Sequence, residues 1–348
     1  MKNSILIYGA YGYSGKLIVE EAIRKNLRPI LSGRDEAKLT QLGKEMNLPT
    51  VALSLEDKDK LVDYLKQIDV VIHCAGPFKY TAETMATACI ASQTHYLDIT
   101  GEMAVFEKLY SLDSAAKNAN VMLMPGAGFD IVPTDCLALY LKEQLPDANQ
   151  LELAFYSTSN VSRGTMNTMI ESMEHGGVVR KDGKLSVVPD KIKEINFGIR
   201  KSLAVTIPWG DVFTAFYTTG IPNIEVYLRT NKKQLRLRKF SRFLALLLRL
   251  NFIKKIVKNK IKNMPVGPSK EQLANNPVYL YGKVINANQD YKEARLIVPN
   301  GYTLTAKTAV DIAIKTLNGQ FKPGFQTPAK LFGSDYILGF TDHHFQLI

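Results

Sequence analysis

Cysteine is scarce and unpaired in this chain: Cys74, Cys89 and Cys136 are the only three in 348 residues, and they lack the spacings of a zinc site or a disulfide framework. They read as buried thiols in a reducing cytoplasm. Histidine is equally thin, with five dispersed residues, so neither a metal site nor a catalytic triad is expected. Long apolar runs are missing too. Arg249 closes the longest candidate, Phe243–Leu248, far short of the ~20 residues a membrane-spanning helix needs. Met1 to Ser4 leave no room for a secretory signal before the first apolar run, so export is not expected. Low-complexity tracts and fixed-period repeats are also absent, and 46% hydrophobic with 22% charged residues is ordinary globular composition. A chain of 348 residues exceeds the size at which one core stops growing, which implies two domains.

Acids are missing from one region only. Between Val226 and Lys270 stand fourteen Lys and Arg and no Asp or Glu, so the whole excess behind the net charge of +11 is local. Within it, Lys232 to Lys262 reads as two amphipathic basic helices broken near Asn251. Leu237, Phe240, Phe243, Leu244, Leu247 and Leu248 gather on one face of the first, and Ile253, Ile256, Val257 and Ile261 on the second. Such helices suit an anionic membrane surface; a lid, an oligomer contact or a solvated face packed on a second domain remain open alternatives. Nucleic acid is not an expected partner, because the stretch lacks interleaved aromatics and any DNA-binding motif.

What is present alternates. Asn3–Tyr8 reads as a strand, Lys16–Lys25 as a helix, Arg28–Leu31 as a strand, Glu36–Met46 as a helix, Thr50–Leu53 as a strand and Lys58–Ile68 as a helix. The pattern continues with strand Asp69–Cys74, helix Thr81–Ser92, strand His95–Asp98, helix Ala104–Asn118 and strand Val121–Met124. Strands separated by helices require right-handed crossovers and imply an α/β, doubly wound parallel sheet of the Rossmann type. After Pro133–Glu143, a helix, strand-like runs dominate at Gln150–Thr158, Ala204–Ile207, Ile224–Arg229, Val278–Ala287 and Glu293–Val298. These predict a second, mixed α+β domain over 131–304. Thr305–Leu317 is helical again, and the C-terminal segment 305–348 is expected to pack back on the first domain, 1–130.

The strongest local signal is Gly9-Ala10-Tyr11-Gly12-Tyr13-Ser14-Gly15, between the first strand and the first helix. Gly9 permits the tight turn, Gly12 lets backbone approach a pyrophosphate, Gly15 allows close helix–strand packing, and the helix start receives negative charge. At the end of the second strand Ser32-Gly33-Arg34 offers a hydroxyl and a guanidinium fork to a ribose 2′-phosphate, which favours NADP(H). The other reading has Asp35 taking the 2′-hydroxyl of NAD. Cys74-Ala75-Gly76-Pro77-Phe78, the loop from Tyr96 to Glu102 with Gly101, and Gly126 to Pro133 end three further strands at the same edge. Their convergence points to a pocket, although each loop also reads as an ordinary helix cap.

Together with Gly128-Phe129-Asp130-Ile131-Val132-Pro133-Thr134-Asp135, these motifs resemble the saccharopine dehydrogenase-like oxidoreductases, specifically the branch with trans-acting enoyl reductases. Gly267-Pro268-Ser269, Asn300 to Thr305 as a hairpin leading into a helix, and Pro323-Gly324-Phe325-Gln326-Thr327-Pro328-Ala329 are similar to that branch as well, so the resemblance spans nearly the whole chain. Tyr11 and Ser14 stand where relatives often carry Thr in the glycine turn. The resemblance implies hydride transfer from NADPH to an activated C=C (enoyl, lipid-like) or C=N bond. Asp130 is then the first candidate proton donor and Tyr80 the second; Asp130 reads equally as an N-cap. The competing class is a nicotinamide-binding scaffold at lipid or membrane without turnover. Expected partners are a small-molecule or lipid-like substrate, an anionic membrane through 232–262 at the inner face of a membrane, and a second copy in a homodimer. Tyr279 and Lys283 match a short-chain dehydrogenase spacing but lie on an alternating run, where they stand ~13 Å apart.

Overall fold

In the computed structural model, residues 4–166, 177–236 and 266–348 are described. The amphipathic stripes expected within 232–262 lie outside the described residues except for 232–236. The chain divides into two compact units, 1–136 with 301–340 and 137–300 with 341–348.

The first unit is built on a parallel sheet. Its strands are β1 (Ile5–Tyr8), β2 (Ile30–Gly33), β3 (Thr50–Ala52), β4 (Val70–His73), β5 (His95–Asp98) and β6 (Met122–Met124). Their spatial order is β3-β2-β1-β4-β5-β6, with a short strand, Gly324–Phe325, beside β6. Every pairing is parallel. β1 and β4 are buried along their full length, as continuous Ile, Leu and Val runs covered on both faces must be. The order reverses between β1 and β4, and a sheet of this kind binds ligands at the carboxyl ends of those strands.

Helices α1 (Tyr13–Arg24), α2 (Glu36–Met46), α3 (Lys58–Leu65) and α4 (Phe78–Ser92) form the crossovers between β1 and β5. Asp35 caps α2 and Asp57 caps α3, each accepting a backbone N–H three residues on. Two starts differ from the sequence reading. α1 begins three residues before Lys16 because the glycine turn itself supplies the first turn, and α4 begins at Phe78, where the Glu102 carboxylate accepts its first N–H groups. The single helix expected over Ala104–Asn118 is two, α5 (Met103–Tyr110) and α6 (Asp113–Asn118). The break serves tertiary structure: Asp113 Oδ1 accepts the N–H of Phe325.

Helix Gly301–Leu317 also belongs to this unit. Asn300 to Thr305 is therefore not a hairpin. The helix starts at Gly301, and the Thr305 hydroxyl accepts the Phe129 N–H while that of Thr308 donates to the Ala127 carbonyl. The Pro-Gly-Phe-Gln-Thr-Pro segment belongs to the first unit. Gly324, at φ +89, tucks against Asp113 so tightly that a Cβ would lie 2.4 Å from its carboxylate.

The second unit carries a mixed sheet ordered Ile192–Asn196, Lys201–Thr206, Asn223–Arg229, Gln150–Ser157, Val278–Ile285, Tyr291–Val298 and Gln346–Leu347. Its pairings are antiparallel except that of Asn223–Arg229 with Gln150–Ser157. A hairpin, Gly177–Lys181 and Lys184–Val188, extends from Asn223–Arg229. One tail expectation needs correction. Residues 341–348 join this unit, because Gln346–Leu347 pairs with the edge strand Tyr291–Val298, whose outer N–H and C=O groups need partners. Tyr279 and Lys283 lie on a strand, and Lys283 pairs with Glu293 at 2.8 Å.

Candidate cofactor and active site

The glycine turn sits at the carboxyl end of β1. Its backbone is tied to β2, since the N–H groups of Gly9 and Ala10 both donate to the Ser32 carbonyl, at 2.8 and 3.2 Å. The three glycines have different reasons to be glycine. Gly9 has φ +83, and a Cβ there would lie 2.9 Å from Ala75. A Cβ on Gly15 would fall 2.3 Å from the Gly9 carbonyl oxygen. Gly12 has an ordinary extended φ of −70 at the N-cap of α1, and the only atom near an added Cβ is the Gly9 oxygen at 3.2 Å. The fold itself thus excludes side chains at Gly9 and Gly15, whereas beside Gly12 the Gly9 oxygen is the one close atom. No side chain caps α1, whose first bond within the helix is Lys16 N–H to the Gly12 carbonyl. Tyr13 and Ser14 complete the turn, with Tyr13 edge-on to Tyr302 at 5.2 Å.

At the end of β2 the Ser32 hydroxyl is buried and has no hydrogen-bond partner. An orphaned buried hydroxyl costs about 1–3 kcal/mol unless something completes it. Gly33 is filled by its neighbour, as a Cβ would meet the Tyr11 ring at 2.6 Å. Arg34 is exposed. Asp35 is engaged elsewhere: Oδ1 accepts the Lys38 N–H and Oδ2 pairs with the Lys38 ammonium at 2.7 Å.

The loop after β4 runs through Cys74, Ala75, Gly76 and Pro77 into α4. Burial pushes the Cys74 thiol up, so it is a poor nucleophile. A Cβ on Gly76 would make only ordinary contacts with Phe78. Glu102 reaches back from the loop after β5, its two oxygens accepting the N–H groups of Phe78 and Lys79 at 2.9 Å each. Asp98, at the end of β5, is buried and accepts from the Tyr96 hydroxyl at 2.7 Å and from the N–H groups of Thr100 and Gly126 at 2.9 Å. Burial raises its carboxyl to about 6 against these hydrogen bonds. The ends of β4, β5 and β6 are thereby tied into one rim.

Asp130 belongs to that rim. A Cβ on Gly101 would lie 2.9 Å from its Oδ2, so carboxyl and loop are in contact. Burial, reinforced by the charge of Glu102, pushes the Asp130 carboxyl up to about 7. Tyr80 is placed differently. It is 67% exposed, and the Lys79 ammonium lies 4.7 Å from its ring centroid. The structure joins Asp130 to the strand-end loops and leaves Tyr80 in solvent.

Sequence reasoning missed Glu102 as a tether, Asp98 as the hub, and His73. His73 ends β4 fully buried, with Nε2 2.9 Å from the Thr81 hydroxyl, which in turn donates to the Ala75 carbonyl. Nε2 therefore carries the proton and Nδ1 is an unpartnered acceptor. Burial drives this imidazole down to about 3, so it stays neutral. Among the described residues no cluster of His, Cys, Asp or Glu could hold a metal, and no helix is long and apolar enough to cross a membrane.

These features fit a dinucleotide. The space beside Gly12, the uncapped start of α1 and the orphaned Ser32 hydroxyl lie in sequence along one edge, where a pyrophosphate and a substituted ribose need backbone N–H groups and a donor.

Known proteins agree with that fit. Residues 5–124 match the family described as the saccharopine dehydrogenase NADP binding domain. A lipid droplet localized protein of Caenorhabditis elegans is 28% identical over 213 residues, 54% of this chain and 49% of that protein. A saccharopine dehydrogenase-like oxidoreductase of Bos taurus is 26% identical over 161 residues, 40% and 38% of the two chains. A trans-acting enoyl reductase of Mycobacterium ulcerans is 23% identical over 258 residues, 66% and 61%. The matches thus span from 38% to 61% of these relatives' own length. In fold, the chain is similar to apo saccharopine dehydrogenase (L-Glu forming) from Saccharomyces cerevisiae, with TM-score 0.63 at 15% identity over 97% of this chain and 96% of that one. Over residues 5–124 the chain therefore matches the saccharopine dehydrogenase NADP binding domain, a match that gives NADP(H) as its cofactor.

Proposed function

We propose that this chain is an NADPH-dependent oxidoreductase that reduces an activated C=C bond of an enoyl, lipid-like substrate, or a C=N bond. Bound nicotinamide supplies the hydride. The protein's share is placement and a proton. Gly9 to Gly15 seat the pyrophosphate, Ser32, Gly33 and Arg34 take the phosphorylated ribose, and Cys74, Ala75, Gly76, Pro77 and Gly101 line the way to the nicotinamide end. One observation carries the catalytic part of this reading: a carboxyl, Asp130, sits on the strand-end rim and is held near 7, so that about half of it is protonated at neutral pH and can pass that proton to a substrate. The trans-acting enoyl reductase among its relatives supports an activated C=C substrate, and the lipid droplet localized relative supports a lipid-like one with a lipid surface nearby.

The test is NADPH consumption against a panel of enoyl-thioester and cyclic imine substrates, with wild type and Asp130→Asn. Turnover on at least one class, falling about a hundredfold or more in Asp130→Asn with NADPH affinity unchanged, is expected. Full activity in Asp130→Asn removes the proton-donor assignment. NADPH binding without turnover on either class leaves the scaffold reading in its place.

A further inference from the structure

Three segments meet at the ribose end of the site, with the Tyr11 ring between the other two. Tyr11 comes from the glycine turn, Ser32-Gly33-Arg34 from the end of β2, and Asp35 to Lys38 from the first turn of α2. The Tyr11 ring fills the space that a Gly33 side chain would need. The Lys38 ammonium stands 5.6 Å from the centroid of that ring and 2.7 Å from Asp35 Oδ2. The Lys38 backbone N–H donates to Asp35 Oδ1 at 3.1 Å. Lys38 therefore occupies both oxygens of the Asp35 carboxylate, one through its main chain and one through its side chain.

Asp35 directly follows Arg34, and a carboxylate at the end of the second strand is the group that accepts a ribose 2′-hydroxyl and repels a 2′-phosphate. A turn that carries both an arginine and an aspartate at this position presents no net charge. Lys38 adds a second cation that offsets the Asp35 charge, Glu36 being the other acid of the stretch, and each Asp35 oxygen already contacts a Lys38 nitrogen. We infer that Lys38 sets the preference for a 2′-phosphorylated dinucleotide by neutralising Asp35 beside Arg34. The inference rests on the ribose end proposed above.

The electrostatics of the groups agree with this arrangement. The Asp35 carboxyl is held below its usual range, first by the Lys38 side chain, and the Lys38 ammonium is held up, first by Asp35. The Arg34 charge acts on Lys38 in the opposite sense, more weakly than Asp35 does. A doubly charged phosphate is attracted by both cations, while a hydroxyl is not.

Calorimetric titration of NADPH and NADH into wild type, Lys38→Gln, Lys38→Arg and the double variant Lys38→Gln/Asp35→Asn tests the inference. Asparagine keeps the N-cap of α2, so the double variant removes charge without removing the cap. Lys38→Gln is expected to lose about tenfold or more in NADPH affinity with NADH unchanged. Lys38→Arg should retain the wild-type ratio, and adding Asp35→Asn should restore most of what Lys38→Gln loses. Wild-type NADPH affinity in Lys38→Gln overturns the inference, as does a loss that persists undiminished in the double variant. A wild type that binds NADPH and NADH equally is a different failure: it removes the reading of the ribose end, and this inference with it.

Discussion

The three glycines of the turn should respond to a side chain in opposite ways. At Gly15 an added Cβ meets the Gly9 carbonyl oxygen at 2.3 Å and Ala10 backbone atoms at 3.0 Å, all of them main chain that cannot swing aside. Overpacking of this kind costs about 1–3 kcal/mol or more, so Gly15→Ala should lower the melting temperature by several degrees. At Gly12 φ is −70, which any residue adopts, and the lone contact is 3.2 Å. Gly12→Val should therefore cost about 1–2 kcal/mol of stability, from the one tight contact and the loss of an N-cap glycine, and leave the protein folded. Its branched side chain nevertheless fills the space through which backbone meets the pyrophosphate. A loss of about a hundredfold in NADPH affinity, roughly 2.7 kcal/mol, is the expected minimum. Thermal melts and isothermal calorimetry on both variants separate the two effects. Gly12→Val that binds NADPH like wild type would show that space to be unused by the cofactor, and Gly15→Ala with an unchanged melt would refute the steric argument.

Two other predictions concern charge. The native Asp130 carboxyl titrates near 7, above its unfolded value of about 3.9, so the native state binds the extra proton between these values. Its stabilising contribution is complete below about pH 4 and is lost as pH rises through about 7, by at most about 4 kcal/mol. Asp98 acts in the same direction, so the diagnostic quantity is the difference between proteins: denaturant midpoints should fall less from about pH 5 to about pH 8 in Asp130→Asn than in wild type, and parallel curves would contradict the buried-acid assignment. The fourteen Lys and Arg between Val226 and Lys270 should bring the protein down with phosphatidylserine vesicles at low salt. Binding should weaken as salt rises and vanish when residues 235–262 are replaced by a neutral linker, and an intact protein that ignores such vesicles leaves that segment as a lid or oligomer contact.

The parts of the site written in consecutive residues were legible. The glycine turn, Ser32-Gly33-Arg34 and the apolar run of β4 each carry their reason within a few positions, because backbone approach and two-sided burial leave local marks. The position of Asp130 in a strand-end loop is readable for the same reason: strand-end loops of one parallel sheet share a side. What depends on distant partners was not legible. Nothing near Glu102 announces that its carboxylate holds the N–H groups of residues 78 and 79. His73 looks like any strand-end histidine until burial removes its charge. The break between α5 and α6 answers to Phe325, more than two hundred residues away. One omission had a local signal. Asp182-Gly183, both at positive φ, is the turn pair that closes the hairpin Gly177–Lys181 and Lys184–Val188, and an Asp-Gly pair between alternating runs predicts that hairpin.

The measurement that bears most directly on the account is the ratio of NADPH to NADH affinity in wild type and in Arg34→Ala. The orphaned Ser32 hydroxyl, the exposed Arg34 and the engaged Asp35 together predict that wild type binds NADPH at least about tenfold more tightly. Losing the guanidinium should remove about 1.5–3 kcal/mol from NADPH binding and leave NADH untouched. Equal affinities for the two dinucleotides in wild type would contradict the assignment of the ribose end, and with it the reading of this chain as an NADPH-dependent enzyme.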